Sequence, residues 1–170
     1  MADAVLSGVR PAPASQRPAA VFVSGLPGSG KSALTARIAE AAALPWPPHE
    51  QLAVVDADVL RGFHGQYASL LRDPALPCFE DAVPWWFDGS GFEHAVFRDA
   101  RGLLPQIFAS RRSFLQLSVM HSDANLEWAR HVVVEQGYEA HLLLVHAPLD
   151  VAVTRARARA ARTGRWCPES

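Results

Sequence analysis

Lysine is nearly missing from this chain of 170 residues: 15 of its 16 basic side chains are arginine, and the one lysine is Lys31. With arginine serving every other need for a cation, the place that kept a compact, flexible ammonium is one where a planar guanidinium would not fit. Cysteine is scarce as well. Cys78 and Cys167 lie far apart, with no Cys or His partner at metal-ligand spacing, which excludes a disulfide scaffold and reads as two free thiols. Net charge is close to absent, at −1, so no global field gathers nucleic acid or anionic membrane. No apolar run reaches the ~20 residues of a membrane span, and the N-terminus has Asp3 and a broken apolar pattern in place of a signal peptide. These absences predict a cytoplasmic protein with no membrane partner and with nucleic acid disfavoured.

What is present is an ordinary globular composition, 49% hydrophobic and 19% charged, at a length that suits one domain. Residues 1–19, with Pro11, Pro13 and Pro18 among small residues, show no period and are expected to be a flexible leader to a domain over 20–170. Residues 20–24 (AVFVS) form a short continuous apolar run that suits a strand buried on both faces. Leu34, Ile38 and Ala41 then recur at helical spacing up to Pro45. Further strands are predicted at 52–55 (LAVV), 113–120 (SFLQLSVM) and 140–145 (AHLLLV), with helices at 59–71, 93–108, 125–136 and 148–162, and an irregular connection at 73–91. Strands alternating with helices imply an α/β fold, a doubly wound, mostly parallel sheet with helices on both faces.

Residues 25–32 read GLPGSGKS and satisfy G-x-x-x-x-G-K-[ST], the P-loop pattern, between a predicted strand and a predicted helix. Gly25, Gly28 and Gly30 let the loop, which also holds Leu26, Pro27 and Ser29, adopt conformations that a Cβ would block, so that its N–H groups point inward at phosphate oxygens. Lys31 adds a full positive charge. Ser32 opens the helix, whose N-terminus carries about half an elementary charge, and its hydroxyl is placed to ligate magnesium. The pattern predicts a nucleoside triphosphate as ligand, with Mg2+.

Asp56 and Asp58 follow the second strand directly, where the active site of an α/β sheet lies. Two apart, they can share a side, one toward the water shell of a metal and one toward a phosphate acceptor; Asp56 alone could instead cap the next helix. The segment VVDADVLRGFH, Val54 to His64, resembles the signature of the zeta toxins, bacterial P-loop kinases. Gly137, Tyr138 and Glu139, Pro148, Arg155, Arg159, Gly164 with Arg165, and Pro168 extend the resemblance over most of the chain from residue 20. It implies a kinase that uses ATP and magnesium to phosphorylate the 3'-hydroxyl of UDP-N-acetylglucosamine, often restrained by an antitoxin protein. Carried onto this sequence, it makes Asp58 the general base, Lys31 and Ser32 the grip on phosphate and metal, and Arg155 or Arg159 with Arg165 the clamp on the transferring phosphate.

Two features depart from the family. Relatives follow the third strand with a polar Glu-Gly-Thr set and an arginine, whereas this chain reads Leu117, Ser118, Val119, Met120, His121, leaving Ser118, His121 and Asp123 as the polar candidates. Relatives also continue past the position of Pro168 with another helix and a fifth strand, so a missing C-terminal portion is expected.

Arg155, Arg159 and Arg162 fall on one helical stripe, which reads as a clamp over a triphosphate or as a solvated basic face. His64 follows the two acids and is a substrate-side candidate. Trp85, Trp86 and Phe87 could stack on a ligand or pack a loop. The sequence thus supports a small-molecule phosphotransferase first, a nucleotide-binding protein without turnover second, and a nucleic-acid-stimulated ATPase third.

Overall fold

A computed structural model of the chain describes residues 1–38, 45–56, 59–60, 62–63, 101–118 and 123–163. The predicted features at Asp58, His64, Trp85, Trp86, Phe87, His121 and Arg165, both cysteines, most of the helix expected at 59–71 and the connection at 73–91 lie outside these residues.

Among the described residues four strands form one sheet: β1 (Ala19–Ser24), β2 (Ala53–Asp56), β3 (Phe114–Ser118) and β4 (Glu139–Leu144). Their order is β2-β3-β1-β4 and every pairing is parallel. The chain leaves β1 for the far position of β2, returns inward to β3, then crosses to β4 on the other side of β1. A reversal of direction of this kind opens a crevice at the carboxyl ends of the central strands.

Period-2 alternation assigns the side chains to two faces. Ala20, Phe22, Ala53, Val55 and Phe114 join one buried cluster with Leu103, Leu104 and Ile107 of α3 (Leu103–Ala109), Val132 of α4 (Asp123–Val134), and Tyr138. Val21, Val23, Leu52 and Leu115 build the opposite one, against which Trp46, Leu117, Leu143 and Val145 pack. Every residue of β1 is buried, as its continuous apolar run predicts. In the first cluster the ring of Phe114 meets Phe22 at 6.1 Å, Phe108 at 6.1 Å and Tyr138 at 5.4 Å, all edge to face, the geometry aromatic quadrupoles favour. The polar Gln116 on β3 is accommodated because Trp128 Nε1 donates to its Oε1 at 2.9 Å.

Gly137 ends α4 as the sequence suggests. Its φ of +73° turns the chain, and the N–H of Tyr138 reaches back to the carbonyl of Val132. This delivers the Tyr138 ring to the core, where its hydroxyl donates to the carbonyls of Ile107 and Arg112. Burial pushes the phenol well above its ordinary pKa, partly offset by Arg111.

Two local expectations change. The segment read as a flexible leader carries a helix, α1 (Ala2–Leu6), whose Ala2, Val5 and Leu6 pack on the first cluster. Val9 is buried, and its carbonyl accepts from Arg112 Nε at 2.8 Å. A five-residue helix is too short to show the 3.6 period, and proline masked the pairing of Pro11 with Arg112. The fourth strand, predicted at 140–145, is set one residue earlier, and its Leu142 and Leu144 are 67% and 76% exposed.

Candidate active site

All strands being parallel, their carboxyl ends share one edge. Ser24 is the last residue of β1, and Gly25 starts the glycine loop there. Ser118 of β3 is in register with Ser24, and Asp56 of β2 with Leu117. The structure therefore gathers the glycine loop, Ser118 and Asp56 at one end of the sheet. Strands pack about 4.8 Å apart, which sets Asp56 roughly 10 Å to the side of β1, beyond Ser118.

Within the loop, the N–H of Ser29 donates to the carbonyl of Leu26 at 3.1 Å, with Pro27 and Gly28 between them and Gly28 at φ +78°. Proline at the second position and a left-handed glycine at the third are the signature of a type II turn. Gly30, at φ +101°, leads into α2 (Lys31–Ile38), and its carbonyl accepts the first helical bond from Leu34 at 2.9 Å. Lys31 folds back over the loop, its Nζ donating to the carbonyls of Gly25 and Leu26. Ser32 is exposed at the start of α2.

The last helix, α5 (Leu149–Thr163), closes on the loop. A Cβ on Gly25 would strike the carbonyl oxygen of Val145, and one on Gly28 would strike that of Ala152 and come within 3.2 Å of Ala156 N. Among the described residues, a Cβ on Gly30 would meet only the Arg155 guanidinium, at 3.8 Å. The structure thus brings Arg155 to the mouth of the loop. Arg159, one turn on, is half-buried, whereas Arg155, Arg157 and Arg162 are exposed.

These features fit a nucleotide phosphate. The space at Gly30 is open except for a guanidinium, Lys31 and the N-terminus of α2 add positive charge, and the buried Ser29 hydroxyl has no hydrogen-bond partner. They also fit magnesium, which keeps most of its waters and takes one or two protein oxygens beside phosphate. Ser32 and Asp56 are of that kind, and among the described residues no cluster of three or more His, Cys, Asp or Glu offers a denser cage.

The family model for zeta toxins matches residues 2–170, nearly the whole chain. The chain belongs to the zeta toxin family. Among solved structures it is similar to one from the PezAT chromosomal toxin-antitoxin system of Streptococcus pneumoniae, with TM-score 0.69 and 18% identity over 95% of this chain. It spans 59% of that pneumococcal chain. It is also similar to a candidate kinase from Chloroflexus aurantiacus, with TM-score 0.57 and 19% identity over 91% of this chain and 74% of that one. No curated protein sequence matches it. The fold of this zeta toxin family member is accordingly of the P-loop type, a four-stranded parallel sheet with helices around it. No helix among the described residues is long and apolar enough to cross a membrane.

Sequence reasoning missed Val145, Ala152 and Ala156, which touch the loop through backbone atoms alone. A signal for the last two was present: Ala152 and Ala156 recur at i and i+4 beside the arginine stripe, a small-residue face that permits close approach. The cavity of about 660 Å3 lined by Arg10, Arg17, Trp46, Gln51, Ser113 and Glu139 lies at the amino ends of the strands and holds none of the predicted residues. Six residues of strand separate it from the glycine loop by roughly 15–20 Å.

Proposed function

We propose that this zeta toxin family member is an ATP- and Mg2+-dependent phosphotransferase of the cytoplasm that transfers the γ-phosphate to a hydroxyl of a small acceptor. The acceptor suggested by the family resemblance is the 3'-hydroxyl of UDP-N-acetylglucosamine, and a small antitoxin protein is the proposed partner. The observation that carries the reading is the placing of Arg155 beside Gly30, over a loop already supplied with Lys31 and the N-terminus of α2.

In this reading the loop from Gly25 to Ser32, including the backbone of Leu26, Pro27, Gly28, Ser29 and Gly30, holds the phosphates, and the Lys31 ammonium exchanges its carbonyl partners for phosphate oxygens. Ser32 would hold the metal directly and Asp56 through its water, the ion supplying charge neutralisation along the phosphates. Asp58 takes the proton of the acceptor hydroxyl as its oxygen bonds to phosphorus and the bridge to ADP breaks. Arg155, Arg159 and Arg165 stabilise the charge on the transferring group. His64, Ser118 and His121 are assigned to the acceptor side.

A test incubates the whole chain with Mg2+, γ-labelled ATP and UDP-N-acetylglucosamine. Labelled sugar nucleotide is expected, with transfer reduced about 100-fold or more in Asp58→Asn while ATP binding persists. Undiminished transfer by that variant removes Asp58 from the role of base. One observation favours a second reading, a nucleotide-binding protein without turnover: the strand beside the loop ends on Ser118, where an acid would otherwise serve the metal. ATP binding with no transfer to any UDP-sugar would select it.

A further inference from the structure

Gly28 sits at a position that the G-x-x-x-x-G-K-[ST] pattern leaves open, so the pattern does not explain it. Its φ of +78° has a local reason, the third place of a type II turn, but asparagine satisfies that requirement too. The second constraint comes from the other side of the molecule. At Gly28 the loop lies against the backbone of α5, with the carbonyl oxygen of Ala152 and the amide of Ala156 where a side chain would begin. Ala152 is 2% exposed, so this seam is closed. Arg155 lies between those two residues in sequence, and its guanidinium is the group found beside Gly30.

We infer that Gly28 is a positioning residue: by lacking a side chain it lets α5 seat on the glycine loop, and this seating fixes Arg155 where the terminal phosphate of a nucleoside triphosphate would bind. The inference rests on the proposed phosphate-binding role of the loop and adds a reason why the grip distinguishes a triphosphate from a diphosphate. A helix displaced by the width of a methyl group carries its arginine with it, and a charged hydrogen bond weakens steeply once distance and angle are lost. The cradle of amides and Lys31, which meets the inner phosphates, belongs to the loop itself and stays in place.

The test measures calorimetric affinities of the whole chain for Mg-AMP-PNP and Mg-ADP in wild type, Gly28→Asn, Arg155→Ala and the double variant. Asparagine tolerates the left-handed turn, so its Cβ against Ala152 is the change being read. Each single variant is expected to lose about tenfold more affinity for AMP-PNP than for ADP, and the double variant to be no weaker than Arg155→Ala alone. Should Gly28→Asn not fold, Ala152→Val wedges the same seam from the helix side, with the same expectation. Equal losses for both nucleotides, multiplying losses in the double variant, or an Arg155→Ala variant that binds AMP-PNP normally would each overturn the inference while leaving the loop's role intact. A wild-type chain that binds neither nucleotide would overturn the proposed function with it.

Discussion

The aromatic cluster under β1 and β3 and the seam between the glycine loop and α5 are held by contacts of opposite kinds. Around Phe114, bulky side chains fill space: Phe22, Phe108 and Tyr138 stand edge to face about a ring that is wholly buried. At the seam Gly25 and Gly28 approach the backbone carbonyls of Val145 and Ala152 directly. Side-chain packing loses energy in proportion to the volume removed, whereas two backbones in contact admit no addition at all. Stability and ligand grip should therefore respond to different substitutions.

The largest effect is expected from Phe114→Ala, which leaves a cavity inside the cluster and costs about 3–5 kcal/mol by urea denaturation. A loss of that size would mark the cluster as the scaffold; one under about 1 kcal/mol would break the contrast. Lys31→Ala probes the other region. It should lower phosphate transfer by about 100- to 1000-fold, the scale on which a preorganised charge acts, while the thermal midpoint moves by no more than about 2 °C. A large fall in that midpoint would show that the loop bears structural weight after all.

Tyr138→Phe sharpens the comparison within the scaffold. It deletes the donor to the carbonyls of Ile107 and Arg112 and should cost about 1–2 kcal/mol. The folded chain holds the phenolic proton more tightly than the unfolded one, since burial opposes phenolate. The stability so gained is complete below the ordinary pKa of 10.0 and is lost as pH rises past it. The variant should lack that alkaline decline, measured as unfolding free energy against pH; an identical decline would assign it to other groups.

Much of this was legible in advance because local pattern and tertiary role agree. Residues 20–24 are apolar throughout because β1 is central, and the strand, the glycine loop and the helix after Gly30 appear in the expected order. Lys31 stood out by composition, and Gly137 marked the end of α4 through its turn. What was not legible lies in contacts between distant backbones, which leave no periodic trace. Nothing near residue 28 announces Ala152, and nothing in the proline-rich start announces that Val9 is buried. Arg155 and Arg159 were separable from a merely solvated face only once α5 was seen against the loop. Ser118 was named as a polar remnant, and its register with Ser24 came from the sheet.

The order of the strands has a bearing on synthesis. Ala20 waits for Phe114 on one flank and for Ala140 on the other, so β1 is without these partners until Phe114 has emerged from the ribosome. Pairings so remote in sequence make for slow closure and a long interval in which an apolar segment is without its neighbours. The helix that seats on the glycine loop is later still. A nascent chain would thus carry the lysine and glycines of its loop before α5 arrives to close on them.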